Sequence, residues 1–160
     1  MLRNSLFNTK HRGLTLIEIL IVIAVIALLS AIIISPLAEF RERKILDAVS
    51  EDIVSLVNEA RINTIGSKNK LEYGAHFETG RMVLFEGTTF TEPNVNNEET
   101  IFNSVVEISS ISLNGGGSDV VFNKLYGTTD EYGTIIIRLK SDNSKTIQIA
   151  IQETGVVYAN

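Results

Sequence analysis

The sequence predicts an α+β protein in which one long amino-terminal helix packs on an antiparallel β-sheet domain. Three observations lead to this fold class. Residues 14–38 form an apolar run with one charge, at Glu18, and residues 39–66 repeat apolar side chains every three or four positions. Beyond Gly66 the apolar residues recur with a period of two. The first two patterns are typical of helices and the third is typical of strands.

The apolar run is long enough to cross a membrane. No charged residue lies between residues 19 and 38. About twenty helical residues at ~1.5 Å each cover the ~30 Å hydrocarbon core of a bilayer. We therefore expect residues 14–38 to form a transmembrane helix. A carboxylate in this setting costs roughly 2.5–3.5 kcal/mol, so Glu18 should have a partner or a function.

The helical pattern continues beyond the run. Pro36 lies inside it and predicts a kink, because proline removes one backbone hydrogen bond. Residues 39–66 are predicted to form an amphipathic helix that packs on the sheet and is closed by Gly66 in a left-handed cap. Its apolar stripe is Ile45, Val49, Ile53, Leu56 and Ala60.

Residues 67–160 are predicted to form a β-rich domain. The candidate strands are residues 71–77, 81–85, 100–102, 105–113, 120–122, 134–139, 146–151 and 156–158. Two of the connections have the same sequence, Glu-Thr-Gly, and end at Gly80 and Gly155. Both read as hairpin turns in which the glycine supplies a positive φ.

Residues 1–13 have the character of a leader. They contain Arg3, Lys10 and Arg12 and no acid. An ordinary secretory signal would have an apolar region of about 7–15 residues before a small-residue cleavage site. Here the apolar region is longer, and only Ser30 and Ala31 offer a weak site.

The residues around this junction resemble those of a known family. Gly13-Leu14-Thr15-Leu16-Ile17-Glu18 follows a basic leader and precedes a long apolar run. This combination resembles the class III signal of type IV pilins and type II secretion pseudopilins. Three features of the remaining chain are similar to GspH/FimT-type minor pseudopilins. They are Glu59-Ala60-Arg61, Phe122 followed by Gly127, and the closing pattern 147–151 then 155–157.

The resemblance implies a pilin-like fold and a sequence of processing steps. A prepilin peptidase would cut between Gly13 and Leu14 and methylate the new amine of Leu14, where the family most often has phenylalanine. Glu18 would receive the amine of an adjacent subunit during assembly. The four-residue spacing from Leu14 to Glu18 would place both on one helix face.

The resemblance also implies a location and partners. The amino-terminus would lie in the cytoplasm, with a single pass through the inner membrane and a periplasmic or extracellular carboxyl-terminal domain. Lys and Arg counts on the two sides of the run are equal, so charge alone leaves the orientation open. The implied partners are the peptidase, other pilin or pseudopilin subunits, an inner-membrane assembly platform, and membrane lipid before assembly.

Charge makes nucleic acid an unlikely partner. Loss of residues 1–13 removes three of 14 basic side chains, which leaves 11 against 19 acidic ones and a net charge of −8. An acidic protein repels polyanions unless basic groups cluster. The one cluster in the sequence is Arg41, Arg43 and Lys44, and the carboxyl-terminal basic residues of DNA-binding relatives are missing.

Catalytic and metal-binding patterns are weak. The processed chain would keep one histidine, His76, with no cysteine and no HExxH or GxSxG motif, so we expect neither an enzyme nor a cofactor. Asp119, Asp130 and Glu131 lie in loop-rich sequence and could hold calcium, although solvated loop acids are far commoner.

The sequence therefore predicts a structural subunit of a type IV pilus-like or type II secretion filament. The alternative is a single-pass, membrane-anchored surface binding module that keeps its leader and does not polymerise. The patterns do not distinguish secretion, adhesion and DNA-uptake machines, or a major from a minor subunit.

Overall fold

The computed structural model describes residues 13–66 and 70–160, with only the backbone of residues 31–36. Helix α1, Leu16–Ile65, is 50 residues long and precedes all the strands. The strands are β1 Tyr73–Glu78, β2 Arg81–Glu86, β3 Glu98–Ile101, β4 Val106–Leu113, β5 Asp119–Val121, β6 Gly133–Leu139, β7 Thr146–Ile151 and β8 Val157–Ala159. The expected α+β class, a long helix before an antiparallel β domain, is confirmed.

The strands form two four-stranded sheets. The first has the order β3-β2-β1-β5 and the second has the order β4-β6-β7-β8. All neighbouring strands are antiparallel. Some pairs are distant in sequence: Gly74 of β1 pairs with Val121 of β5. The sequence analysis predicted a sheet domain but not this division, because periodicity carries no information about partners.

The chain divides into two compact units, Met1–Glu39 and Phe40–Asn160. Within the described part of the chain, which leaves out the side chains of residues 31–36, no helix combines the length and apolar character needed to cross a membrane. Pro36 lies within the backbone of α1. Its side chain falls outside the described atoms, so the kink stays a prediction.

The core lies within the second unit. The predicted stripe of α1 faces it, since Ile53 and Ala60 are fully buried and Ile45 packs at its edge. These residues join side chains from both sheets, such as Phe77 and Ile137, in one apolar cluster. Full burial of such a side chain contributes about 1.5–3 kcal/mol, so this stripe holds the helix on the sheets.

The end of α1 differs from the predicted cap. Gly66 has no positive φ, and its N–H still donates to the carbonyl of Ile62 at 2.8 Å. Buried Thr64 instead ties the last turn to β1. Its Oγ1 donates to the carbonyl of Ala60 at 2.9 Å and accepts from the N–H of Tyr73 at 2.8 Å. This hydrogen bond to β1 fixes the end of the helix, where the sequence had predicted a glycine cap.

The two Glu-Thr-Gly turns differ from each other. Gly155 has φ +77°, as predicted, whereas the expectation for Gly80 is wrong because its φ is not positive. The carbonyls of Thr79 and Gly80 accept hydrogen bonds from the N–H groups of Ile108 and Phe102, at 2.8 and 2.9 Å. These bonds to distant residues set the conformation of the first turn.

Candidate functional site at the start of the helix

The first turn of α1 is closed by a capping box. Thr15 is the residue before the helix, and its Oγ1 accepts the N–H of Glu18 at 3.3 Å. In return, the Thr15 N–H points to Glu18 Oε2 at 3.5 Å. The first amides of a helix have no partner within the helix, so this reciprocal pair satisfies two donors. Glu18 therefore has a structural role that the sequence analysis missed, although Thr-x-x-Glu is a readable signal.

Leu14 and Glu18 do not share a helix face in this structure. The helix begins at Leu16, so Leu14 lies outside it and the four-residue spacing does not place it above Glu18. The expectation of a shared face concerned the chain that begins at Leu14 after cleavage, and it stays a prediction. The Glu18 carboxylate turns back to its own chain, but it remains exposed and its hydrogen bond is long.

Gly13 is exposed and sterically free. Among the residues that the structure describes, a Cβ placed on it would meet no atom within 4 Å. Nothing in the described fold therefore requires glycine at this position. The leader residues 1–12 lie outside the described part of the chain.

The helix start presents apolar side chains in every direction. Consecutive residues on an α-helix are 100° apart, so the run from Ile19 to Ile23 covers the whole circumference. The exposed large apolar side chains are Leu14, Leu16, Ile17, Ile19, Leu20, Ile21, Val22, Ile23, Val25, Ile26, Leu28 and Leu29. A helix that is apolar all round belongs in a membrane or in the interior of an assembly.

The carboxylates of two of the three candidate calcium ligands accept hydrogen bonds from other side chains. Asp119 accepts from His76 Nδ1 at 2.5 Å, and Glu131 Oε2 accepts from Thr129 Oγ1 at 3.0 Å. The carbonyl of Asp130 accepts from the Asn114 amide at 2.8 Å. Among the residues that the structure describes, no group of three or more His, Asp or Glu side chains could hold a metal ion.

The densest charge cluster of the β domain surrounds Arg81. Its guanidinium pairs with Glu78 at 2.7 Å, Glu92 at 2.8 Å and Glu99 at 3.0 Å. Hydrogen bonds from Arg81 lower the pKa of Glu78 and of Glu92. Beside it, the ring of His76 stacks on Phe90 with centroids 3.9 Å apart. The cluster ties the loop between β2 and β3 to the first hairpin, which is a structural role.

Comparison with known families identifies the helix start. Residues 8–34 match the model of the prokaryotic N-terminal methylation motif. This match covers Gly13, Leu14, Glu18 and most of the apolar run. No curated protein sequence matches the chain significantly.

Comparison with solved structures identifies the fold. The type IV minor pilin FimU of Pseudomonas aeruginosa matches with a TM-score of 0.55 and 10% identity, over 72% of this chain and 92% of FimU. The minor pseudopilin EpsH of the Vibrio cholerae type 2 secretion system matches with a TM-score of 0.51 and 11% identity, over 72% of this chain and 95% of EpsH.

The chain therefore has a prokaryotic N-terminal methylation motif and a fold similar to that of a type IV minor pilin and a minor pseudopilin, so the resemblance predicted from the sequence is confirmed. One of these two minor subunits is from a pilus and the other is from a secretion system.

Proposed function

We propose that this protein is a structural subunit of a type IV pilus-like or pseudopilus filament. The observation that carries the proposal is the apolar surface around the whole circumference of α1, directly behind the methylation motif. Lipid would cover this surface before assembly, and the same helices of neighbouring subunits would cover it in the filament. The two structural relatives are a pilin and a pseudopilin, which agrees with a role in assembly.

Processing would occur at the junction before the helix. A prepilin peptidase would cut between Gly13 and Leu14 and methylate the new amine of Leu14. The exposure of Gly13 and the open space around it would allow an enzyme to enclose this bond. The leader would lie in the cytoplasm, with the domain of residues 40–160 on the other side of the inner membrane, and an assembly platform would extract the subunit.

Glu18 would then pair with the methylated amine of an adjacent subunit. Its carboxylate is exposed and has only a long hydrogen bond to its own chain, so it remains available. In a packed filament both charges would lose water together. Leaving either one buried and unpaired typically costs 3–5 kcal/mol. Because of this cost, only subunits that are processed and correctly placed would enter the filament.

Glu18→Gln tests this proposal because it separates charge from capping. Glutamine also serves in a capping box, so the helix start should be preserved while the carboxylate is lost. We expect Glu18→Gln to be cut and inserted normally but to enter filaments at less than a tenth of the wild-type level. The measurement is the amount of subunit in sheared filaments, relative to co-assembled subunits and to the membrane pool.

Thr15→Ala is the matched control. It removes the hydroxyl that accepts the Glu18 N–H and should cost about 1 kcal/mol at the helix start while keeping the carboxylate. We expect it to assemble close to the wild-type level. If processed Glu18→Gln assembles normally, charge pairing is refuted. If Thr15→Ala fails as well, the helix cap is also needed for assembly.

A further inference from the structure

Basic residues are concentrated in two short segments of the β-domain unit. Of the 11 lysines and arginines that follow residue 13, three lie in residues 41–44 and two in residues 140–145. They are Arg41, Arg43, Lys44, Lys140 and Lys145. Nearly half of the positive charge of an acidic protein is therefore carried by ten residues.

The fold brings the two segments together. The 140–145 segment is the turn between β6 and β7, and Ser141 Oγ donates to Glu42 Oε2 on α1 at 2.7 Å. Arg43 and Lys145 line the same surface cleft of about 270 Å³, together with Asp47, Thr146 and the apolar side chains of Leu46 and Ile147. We call these five basic residues the basic end of the domain.

Three carboxylates lie among the five basic side chains, and five positive charges minus three negative ones leave a net charge of +2. Glu42 accepts from Ser141, and Asp47 pairs with Lys44 at 3.4 Å. Asp142 accepts from the Oγ and the N–H of Ser144, at 2.6 and 3.0 Å. Those hydrogen bonds, together with the positive charges of Lys145 and Arg43, lower the pKa of Asp142.

Within the described residues, Arg41, Arg43, Lys140 and Lys145 have no ion-pair partner. The other arginines of the domain are used internally. Arg81 and Arg138 pair with glutamates, and Arg61 donates to the carbonyl of Gly127 at 2.8 Å. The basic end therefore has positive charge to offer to an external anion.

We propose that the basic end binds the phosphate groups of anionic phospholipids while the subunit is stored in the membrane. The inference rests on the proposed function, because it requires residues 14–38 to be inserted in a bilayer. The domain unit begins at Phe40, so Arg41, Arg43 and Lys44 of the basic end follow the predicted span within a few residues of sequence. Basic groups at this distance lie within the Debye length over which an anionic surface attracts charge.

Lipid fits the surface better than nucleic acid does. The ring of Phe40 is exposed, and Lys44 Nζ lies 5.9 Å from its centroid, an amphipathic pair suited to a headgroup boundary. The cleft between Arg43 and Lys145 also has apolar walls. A nucleic-acid groove would need more extended positive charge to overcome the net charge of −8.

Hydrogen exchange of the full chain in nanodiscs tests the proposal. The discs would contain phosphatidylcholine alone or phosphatidylcholine with phosphatidylglycerol, and co-elution with the discs would establish insertion. We expect amides of the 140–145 turn to exchange at least about fivefold more slowly in the anionic discs. That factor corresponds to about 1 kcal/mol, the attraction of one basic residue to an anionic surface.

Matched variants make the result specific. Arg43→Gln/Lys145→Gln should abolish the slowing while the amides of β6 keep their protection, which shows that the fold is intact. Lys124 is exposed and lies in a different loop, so Lys124→Gln should leave the slowing of the 140–145 amides unchanged. Equal exchange in both discs, or slowing that persists in the double variant, would overturn the proposal.

A further sample, phosphatidylcholine discs with a single-stranded oligonucleotide, tests whether the surface prefers lipid to other polyanions. If the oligonucleotide slows the turn as much as phosphatidylglycerol does, the surface recognises polyanions in general and the lipid assignment is wrong. The experiment requires insertion but not assembly, so its failure leaves the filament proposal standing. Failure of the Glu18→Gln test would likewise leave a lipid result unaffected.

Discussion

Gly13 and Glu18 are both part of the motif, but they relate differently to the fold. Glu18 closes the first turn of α1, so its presence has a partial structural explanation. Gly13 has none, because no neighbouring atom in the described part of the chain requires a glycine there. A substitution at Gly13 should therefore report on processing with little effect on folding.

Gly13→Val should block cleavage and leave the full leader on the protein. A peptidase that encloses the chain closely at the cut would exclude a β-branched side chain, while the open space around Gly13 means that the fold itself is unaffected. Intact-mass spectrometry of the membrane form measures this. Wild type should begin at methylated Leu14, and the variant should begin at Met1.

Leu14→Phe is the control on the other side of the bond. It exchanges one large apolar side chain for another and should still be cut. Normal trimming of Gly13→Val would refute the assignment of the cleavage site. A wild-type protein that begins at Met1 would favour the unprocessed, membrane-anchored binding module.

The two Glu-Thr-Gly hairpins show how the same local sequence acquires different constraints in different elements. At Gly155 φ is positive, and an added Cβ would collide with the carbonyl oxygen of Gly127 and lie 2.7 Å from Arg61 Nε. At Gly80 the space is open and φ is not positive. Only the second hairpin, between β7 and β8, needs its glycine.

Gly155→Ala should destabilise the domain, whereas Gly80→Ala should not. The strained conformation alone costs of order 1–3 kcal/mol, and the collision with Gly127 adds to it. Such a loss should lower Tm by at least about 4 °C for a domain of this size. Thermal unfolding of the full chain in a non-ionic detergent, followed by near-ultraviolet circular dichroism, compares the two variants. Equal Tm values for Gly155→Ala and Gly80→Ala would contradict the conclusion that only Gly155 must be a glycine.

At the scale of the whole domain, charge also couples stability to pH. Arg81 holds three carboxylates, and it lowers the pKa of Glu78 and of Glu92 in the folded state. A carboxyl group with a lowered folded pKa stabilises the fold above its unfolded pKa of about 4.3. That contribution is lost as the pH falls through the folded pKa.

Arg81→Gln should therefore reduce stability most at neutral pH. We expect the difference in urea midpoint between wild type and Arg81→Gln to be largest above pH 5. It should shrink as the pH falls below 4, where the carboxylates of both proteins become protonated. Lys124→Gln, which removes an exposed charge elsewhere, should shift the midpoint little at any pH. If the difference in urea midpoint between wild type and Arg81→Gln stays constant down to pH 3, Arg81 stabilises the fold by packing alone.

The sequence by itself determined the features that depend on local order. The period of 3.6 and then of two predicted α1 and the eight described strands to within a few residues. The methylation motif was also readable, and the roles of Gly13, Leu14 and Glu18 in it stay predictions. Even the capping box was readable as Thr-x-x-Glu. Local order is sufficient for these features because helix periodicity, strand alternation and the N-terminal methylation motif each involve residues close together in the chain.

Tertiary structure alone decided which distant residues meet. It divided the strands into two sheets, gave Gly155 a constraint that Gly80 lacks, and, within the described residues, did not bring Asp119, Asp130 and Glu131 together as a metal site. It also placed Lys145 beside Arg43, whereas the sequence showed a basic cluster only in residues 41–44. The physical reason is that these contacts depend on strand pairing and packing across about a hundred residues, and local periodicity does not specify them.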